Sequence, residues 1–258
     1  MIHKLKAPVY ASTNDKHLMC LKVFVELYNI FWEGQDLNIL GYTKPSYSLG
    51  DHATFHSMGP QQPPEKWSNG LIEFFNSIDD DVLLYGAEDM AFYDHTNCFL
   101  INNLIQMMKE DSSIGRINLV DCCEDDKCHI ENSPYYKVKF VKDMKDCSLY
   151  ELVQRSKYKI TGQLSLWNKS YLLRYLCEDQ SPWEFEQDGS GKAKKDGEYR
   201  VLMTWCDDGH FPVSKKELFQ AGNWENQSYW HHLVSPSLQA EIKKWNDNEK
   251  HLIKYFRP

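Results

Sequence analysis

Carboxylates placed where a buried strand ends are the residues in this chain best suited to chemistry. The stretch Asp79-Asp80-Asp81-Val82-Leu83-Leu84-Tyr85-Gly86-Ala87-Glu88-Asp89-Met90 carries three acids, a short apolar run and two more acids. Val82–Tyr85 has the length of a buried strand and is too short for a helix. Glu88 and Asp89 then fall at the carboxyl edge of a sheet, where open α/β sheets take their ligands. Two carboxylates there are costly to desolvate without a cationic partner, and a divalent metal supplies one. The plainer reading is a solvated strand end that caps the next helix.

The elements needed to position this stretch can be read on both sides of it. Ala7–Ala11 reads as a first strand, followed by the polar run Ser12-Thr13-Asn14-Asp15 and then apolar residues at helical spacing from Leu18 to Phe31. A helix start after such a turn suits phosphate, or is simply an ordinary capped helix. Leu37–Tyr42 is a second strand, which completes a parallel βαβ unit. Residues 43–66 lack periodicity and read as one long loop, with lone histidines at His52 and His56. A helix opens near Trp67 and Ser68, with Leu71, Ile72, Phe74, Phe75 and Ile78 as its apolar face. Cys98–Met108 is another helix, and Arg116–Val120 and Tyr136–Val141 are strands. Strand and helix alternate through residues 7–120, so the fold class is α/β with a mainly parallel sheet.

Beyond this, residues 159–167 alternate as a strand, Asn168 caps a helix over 169–177, and Ser181-Pro182 opens another with Glu184 and Glu186 in its first turns. Asp188-Gly189-Ser190-Gly191 is expected to end that helix. Tyr199–Trp205 is a strand, the turn after it contains His210, and residues 215–258 read as partly amphipathic helix.

Composition narrows the function. The 258 residues carry a net charge of −8, which argues against a nucleic-acid partner, because phosphate neutralisation needs an excess of Lys and Arg. No apolar segment is long enough to span a bilayer, and the N-terminal residues do not form a signal peptide. The eight cysteines form no CxxC framework and read as reduced thiols of a cytoplasmic protein. The cluster Cys122-Cys123 through Cys128-His129 matches no zinc spacing. Eight Trp and fifteen Tyr leave rings for sugar or base platforms as well as for the core.

Three blocks in order carry a family resemblance: Val82–Met90, Gly162-Gln163-Leu164-Ser165-Leu166-Trp167-Asn168-Lys169-Ser170-Tyr171-Leu172-Leu173, and Ser181-Pro182-Trp183-Glu184-Phe185-Glu186 with Gly189-Ser190. Together they resemble GT-A-type glycosyltransferases, and most of all small phage, virus and bacterial sugar-transferase-like proteins. The second block is similar to that group's Gln-x-x-Ile-Trp segment and the third to its Ser-Pro-Trp-x-x-Glu segment. The first departs from the Asp-x-Asp motif, since Met90 and Ala91 follow Glu88-Asp89.

The resemblance implies a GT-A-like (Rossmann-like) mixed, mainly parallel sheet flanked by helices in a single domain, 1–258. Residues 1–120 would be the nucleotide-binding half, and 121–258 the acceptor-binding half with a C-terminal helical tail. It implies a nucleotide-sugar donor, a glycan or other hydroxyl acceptor, a divalent ion (Mn2+ or Mg2+) and, for a viral protein, a place in the host cytoplasm. Ser12, Thr13, Asp15, Tyr42, Trp67, Ser68 and Glu88 would bind the donor, with Tyr42 stacking on the base. Gln163 and Trp183 would bind the acceptor, and Asp89 and His210 the metal. Glu186 would be the general base of an inverting transfer, with Glu184 as the second choice. Two alternatives share such a fold: a nucleotidyltransferase, which usually has a glycine-rich basic loop where Ser12–Asp15 stands, and a non-catalytic nucleotide- or sugar-binding protein.

Overall fold

Val82–Ala87 forms a strand whose first five residues are all buried, and Leu83 and Leu84 are fully enclosed. Burying each such leucine contributes about 1.5–3 kcal/mol, and a strand so covered belongs at the centre of a sheet. The computed structural model describes residues 3–120, 130, 133, 135–206, 211–220, 223–225 and 227–249.

In chain order the main strands are β1 (Val9–Ser12), β2 (Leu37–Gly41), β3 (Ala53–Ser57), β4 (Val82–Ala87), β5 (Met90–Phe92), β6 (Ile114–Asn118), β7 (Val138–Asp143), β8 (Ser148–Leu152), β9 (Ser165–Asn168), β10 (Arg200–Trp205) and β11 (Lys215–Glu217). The helices are α1 (Leu18–Phe31), α2 (Trp67–Ser77), α3 (Cys98–Glu110), α4 (Lys169–Tyr175), α5 (Pro182–Ala193), α6 (Gln227–Trp230) and α7 (Pro236–Glu249). None is long and apolar enough to cross a membrane among the described residues.

A nine-stranded sheet, ordered β3-β2-β1-β4-β9-β6-β10-β8-β7, organises the molecule. β3, β2, β1 and β4 pair in parallel, β9 enters antiparallel between β4 and β6, and β8 is antiparallel to both its neighbours. All strands but β8 and β9 therefore run one way, giving a mostly parallel α/β sheet, as the alternating elements predict, made mixed by those two strands, as the resemblance implies. The β1–α1–β2 crossover moves one way along the sheet and β3–α2–β4 the other. With right-handed crossovers, α1 and α2 cover opposite faces. Rings seal both layers: Tyr10 and Tyr85 meet Phe75 of α2 edge-on, and Phe24, Tyr28 and Trp32 surround Phe92.

Several elements differ from expectation. The long loop 43–66 contains β3, an edge strand in register with β2 from Leu37↔Ala53 to Gly41↔Ser57. β8 is a further strand without a sequence counterpart. The 159–167 strand starts only at Ser165, because residues 160–164 turn around the end of β4. α5 runs through Gly189 and Gly191 instead of stopping there. Gly189 is a packing contact, since a Cβ on it would meet Ile160 at 3.2 Å, and Ser190 Oγ bonds both the Ile160 amide and carbonyl. The region after 215 opens with β11, paired to β5, before its helices.

Candidate functional site at the carboxyl edge of the sheet

Because β1, β2 and β4 are parallel, Ser12, Gly41 and Ala87 end on one edge. β9 is antiparallel to β4, so the residues preceding it, 160–164, lie on that same edge. The approach is close: a Cβ on Gly86 would sit 2.9 Å from Leu164 Cα and 3.0 Å from Leu164 N. Glycine is the residue that permits it.

The two strand-end carboxylates separate in role. Glu88 is buried, accepts the Thr13 hydroxyl at 3.2 Å on Oε1, and has His17 Nδ1 3.1 Å from the same oxygen. Its amide donates to the Ser12 carbonyl at 3.3 Å, which ties β4 to the turn after β1. Burial pulls the His17 pKa down, but the Glu88 hydrogen bond and the charges of Glu88 and Asp89 leave it raised overall.

Asp89 is half-buried, and its carboxylate accepts no hydrogen bond among the described residues. Burial, reinforced by the charges of Glu88 and Glu217, pushes its pKa up to about 7, against the opposing pull of Lys215 and His17. Lys215 and Glu217 arrive on β11, which pairs with β5 so that Lys215 stands opposite Phe92 and Glu217 opposite Met90.

The other predicted residues fall into three groups. Ser12 and Asp15 lie at the site edge and have structural bonds there. Ser12 Oγ accepts the Tyr85 hydroxyl at 3.0 Å, and Asp15 accepts the Thr43 amide and hydroxyl at 2.9 and 2.7 Å. Tyr42 sits at the end of β2 but is 5% exposed, so its ring is core and offers no open face for a base. Burial also raises its pKa.

Trp67 and Ser68 face α5 and the turn before it. Trp67 packs on Phe185 with ring centroids 5.7 Å apart. Ser68 Oγ donates to the Cys177 carbonyl and accepts the Gln180 amide, so its hydroxyl is used in joining α2 to that turn. Glu184 closes a capping box, its Oε2 taking the Ser181 amide at 2.8 Å and hydroxyl at 2.7 Å. The Ser181 amide and hydroxyl bonds lower its pKa.

Glu186 connects to the strand end. Its Oε1 accepts the Thr161 hydroxyl at 2.8 Å and the Gly162 amide at 2.6 Å, and the Gly162 carbonyl accepts the Ala87 amide at 3.1 Å. One residue, Gly162, thus links Glu186 to the residue before Glu88. Trp183, three residues earlier on α5, shares that side of the helix and is 63% exposed. Gln163 follows Gly162 in the same turn. His210 lies outside the described residues.

Sequence reasoning did not single out His17, Thr161, Gly162 or Lys215. His17 follows the polar run after β1, a signal that was available. Lys215 is brought in by the β5–β11 pairing, which no local pattern announces.

A divalent cation can be tested against this donor set. No three His, Cys, Asp or Glu side chains are grouped to hold an ion among the described residues. Glu88 Oε1 is already shared by Thr13 and His17. The group that fits is the Asp89 carboxylate, unshared and with its charge disfavoured by burial and acidic neighbours. Hard divalent cations commonly take one or two carboxylates and complete their shells with phosphate oxygens and water.

No family model matches the chain, and no curated protein matches it. Solved structures do. An active-site mutant of the galactosyltransferase LgtC is 12% identical with a TM-score of 0.38, over 73% of this chain and 65% of that one, so the chain spans slightly less than two thirds of its length. A cytidylyltransferase from Leptospira borgpetersenii is 10% identical with a TM-score of 0.47, over 94% of this chain and 96% of that one. A UDP-glucose pyrophosphorylase complexed with UDP-glucose is 11% identical with a TM-score of 0.45, over 95% of this chain and all of that one.

Proposed function

We propose that the chain is a nucleotide-sugar-dependent glycosyltransferase that moves a sugar to an acceptor hydroxyl with inversion. The reading is supported by one arrangement: an unshared carboxylate, Asp89, at the carboxyl edge of a parallel sheet, joined through Ala87 and Gly162 to a second carboxylate, Glu186. The first suits a donor diphosphate and the second an acceptor proton.

Asp89 would hold a divalent ion, Mn2+ or Mg2+, together with donor phosphate oxygens, and His210 is kept as a further ligand. When bound, the ion neutralises charge on the leaving diphosphate. Lys215 adds a fixed positive charge beside Asp89. Thr13 and His17 hold Glu88 in place behind it. Ser12, Thr13 and Asp15 line the nucleotide side of the edge.

At Glu186 both donors converge on Oε1. That fixes the carboxylate plane and leaves Oε2 to take the proton from the acceptor hydroxyl as it attacks. Trp183, exposed on the same side of α5, offers a face to an acceptor sugar ring, and Gln163 a hydrogen bond. Glu184, engaged in its cap, is the weaker candidate for the base.

Thermal-shift screening against UDP-, GDP- and CMP-sugars, with and without manganese, tests the donor site. Stabilisation by one of them is expected, and the absence of a shift with every nucleotide would overturn the reading. A nucleotidyltransferase would use the same edge for a nucleoside triphosphate, and the product separates the two. Transfer releases the nucleoside diphosphate from a UDP- or GDP-sugar and CMP from a CMP-sugar, whereas nucleotidyl transfer releases inorganic diphosphate. Nucleotide binding with no turnover of either kind, unchanged in Glu186→Gln, would favour the non-catalytic binding protein.

A further inference from the structure

The nine-stranded sheet has two edges, and they are built differently. β7 at one end carries Lys139 and Lys142 on exposed positions, and its register with β8 shifts between Phe140 and Lys142. Charges and a bulge are the usual means of stopping an edge from pairing. β3 at the other end has neither: Ala53-Thr54-Phe55-His56-Ser57 contains no Lys, Asp, Glu or Pro and stays in unbroken register with β2.

The bonds that bracket β3 show which of its groups face outward. The Leu37 amide donates to the His52 carbonyl at 2.8 Å, and the Met58 amide to the Gly41 carbonyl at 2.7 Å. In a parallel ladder the bonding residues alternate, so residues 52, 54, 56 and 58 face β2. The amides and carbonyls of Ala53, Phe55 and Ser57 therefore point away from the sheet, and no backbone group meets them among the described residues. Thr54 and Ser57 are exposed.

We propose that this edge is a two-fold interface at which β3 pairs antiparallel with β3 of a second copy of this chain, centred on Phe55. In an antiparallel ladder, directly opposed residues exchange both bonds at every second position. Centring on Phe55 sets Phe55 against Phe55 of the second copy and Ala53 against Ser57. These are the outward-facing residues, so each finds a mate with no outward group left over. A two-fold contact requires such self-complementarity. The strand is uncharged, so the pairing opposes no like charges, and it adds an aromatic cross-strand pair, a favourable one.

Beside the strand is an open groove of about 550 Å³ of mixed character, walled by Lys44, Ser46, Ser48 and Thr54 as well as by Tyr47 and Phe55. The Phe55 ring lies against Gly41, where a Cβ would come within 2.9 Å of it. The groove adjoins the strand edge and widens the surface a second copy would cover. This inference is independent of the proposed reaction.

Sedimentation velocity on the full chain up to about 100 µM should show a monomer–dimer equilibrium. Hydrogen exchange should slow with concentration at the Ala53, Phe55 and Ser57 amides. Ala53→Lys with Ser57→Lys opposes lysines across the two-fold axis and is expected to give monomer. Ala53→Lys with Ser57→Glu opposes unlike charges at the same positions and is expected to restore the dimer. A monomeric wild type, a dimer indifferent to the double lysine change, or failure of the charge-paired variant to dimerise while melting like wild type would each overturn the proposal.

Discussion

Gly162 joins Glu186 to the end of β4: its amide donates to Glu186 Oε1 at 2.6 Å while its carbonyl accepts the Ala87 amide at 3.1 Å. α5 is far from β4 in sequence, and this single residue ties the proposed base to the strand that ends in the proposed donor carboxylates. Glu186→Gln keeps an oxygen for the Gly162 amide but removes the proton acceptor. Its kcat is expected to fall by about 10²–10⁴, with nucleotide binding and Tm little changed. Glu186→Ala orphans the Gly162 amide and should also cost about 1–3 kcal/mol of stability. Near-normal turnover in the glutamine variant would remove Glu186 from the mechanism.

Glu184 and Glu186 are separable by the same logic. Glu184 is held by the Ser181 amide and hydroxyl, a helix-capping role. Glu184→Ala should lower Tm and leave turnover in place. Loss of turnover with Tm unchanged would reverse the assignment of the two acids.

The Asp89 pKa, raised to about 7 by burial and then by Glu88, gives stability a definite pH dependence. The folded state holds this proton more tightly than the unfolded chain, whose aspartate titrates near 4. The stabilisation is complete below pH 4 and is lost as pH rises toward and through 7. Asp89→Asn does not ionise, so it should match the wild type near pH 4 and exceed it by roughly 1–3 kcal/mol above pH 7. It should also lose any stabilisation by donor plus Mn2+ or Mg2+. Chemical denaturation across pH, with and without donor, measures both.

Gly86→Ala tests the contact that brings residues 160–164 to β4. The added methyl would meet Leu164 backbone atoms at 2.9 and 3.0 Å, and backbone cannot swing aside as a side chain can. A loss of about 1–3 kcal/mol is expected, along with reduced turnover because Gly162 shifts. A neutral effect in urea denaturation would show that the turn adapts.

Two strands show why part of the fold could not be read locally. β3 lies in a stretch rich in Pro, Gly, Ser and His, where its five residues carry no strong alternation. Pairing with β2 makes it a strand. β9 is legible as a strand, but not its antiparallel entry between β4 and β6. The alternation of elements up to residue 120 implies a parallel neighbour for β4 on both sides. The buried Arg116 supports the inserted strand: its guanidinium donates to Ser165 Oγ at 3.0 and 2.8 Å and lies 5.1 Å from the Trp167 ring. A strongly polar residue within an apolar strand gives no local sign of such partners.

What the sequence by itself determined is the alternation of strands and helices, the apolar run ending in Glu88 and Asp89, the caps at Asn168 and Ser181, and the candidate acids. These follow from periodicity and from side-chain chemistry within a few residues, which act over short stretches of chain. Tertiary structure decided which partners each acid takes. Glu88 is committed to Thr13 and His17, Glu184 to its cap and Glu186 to the Gly162 turn, while Asp89 is left unshared beside Lys215. Each outcome depends on a partner distant in sequence, and only burial and strand pairing bring such groups within reach.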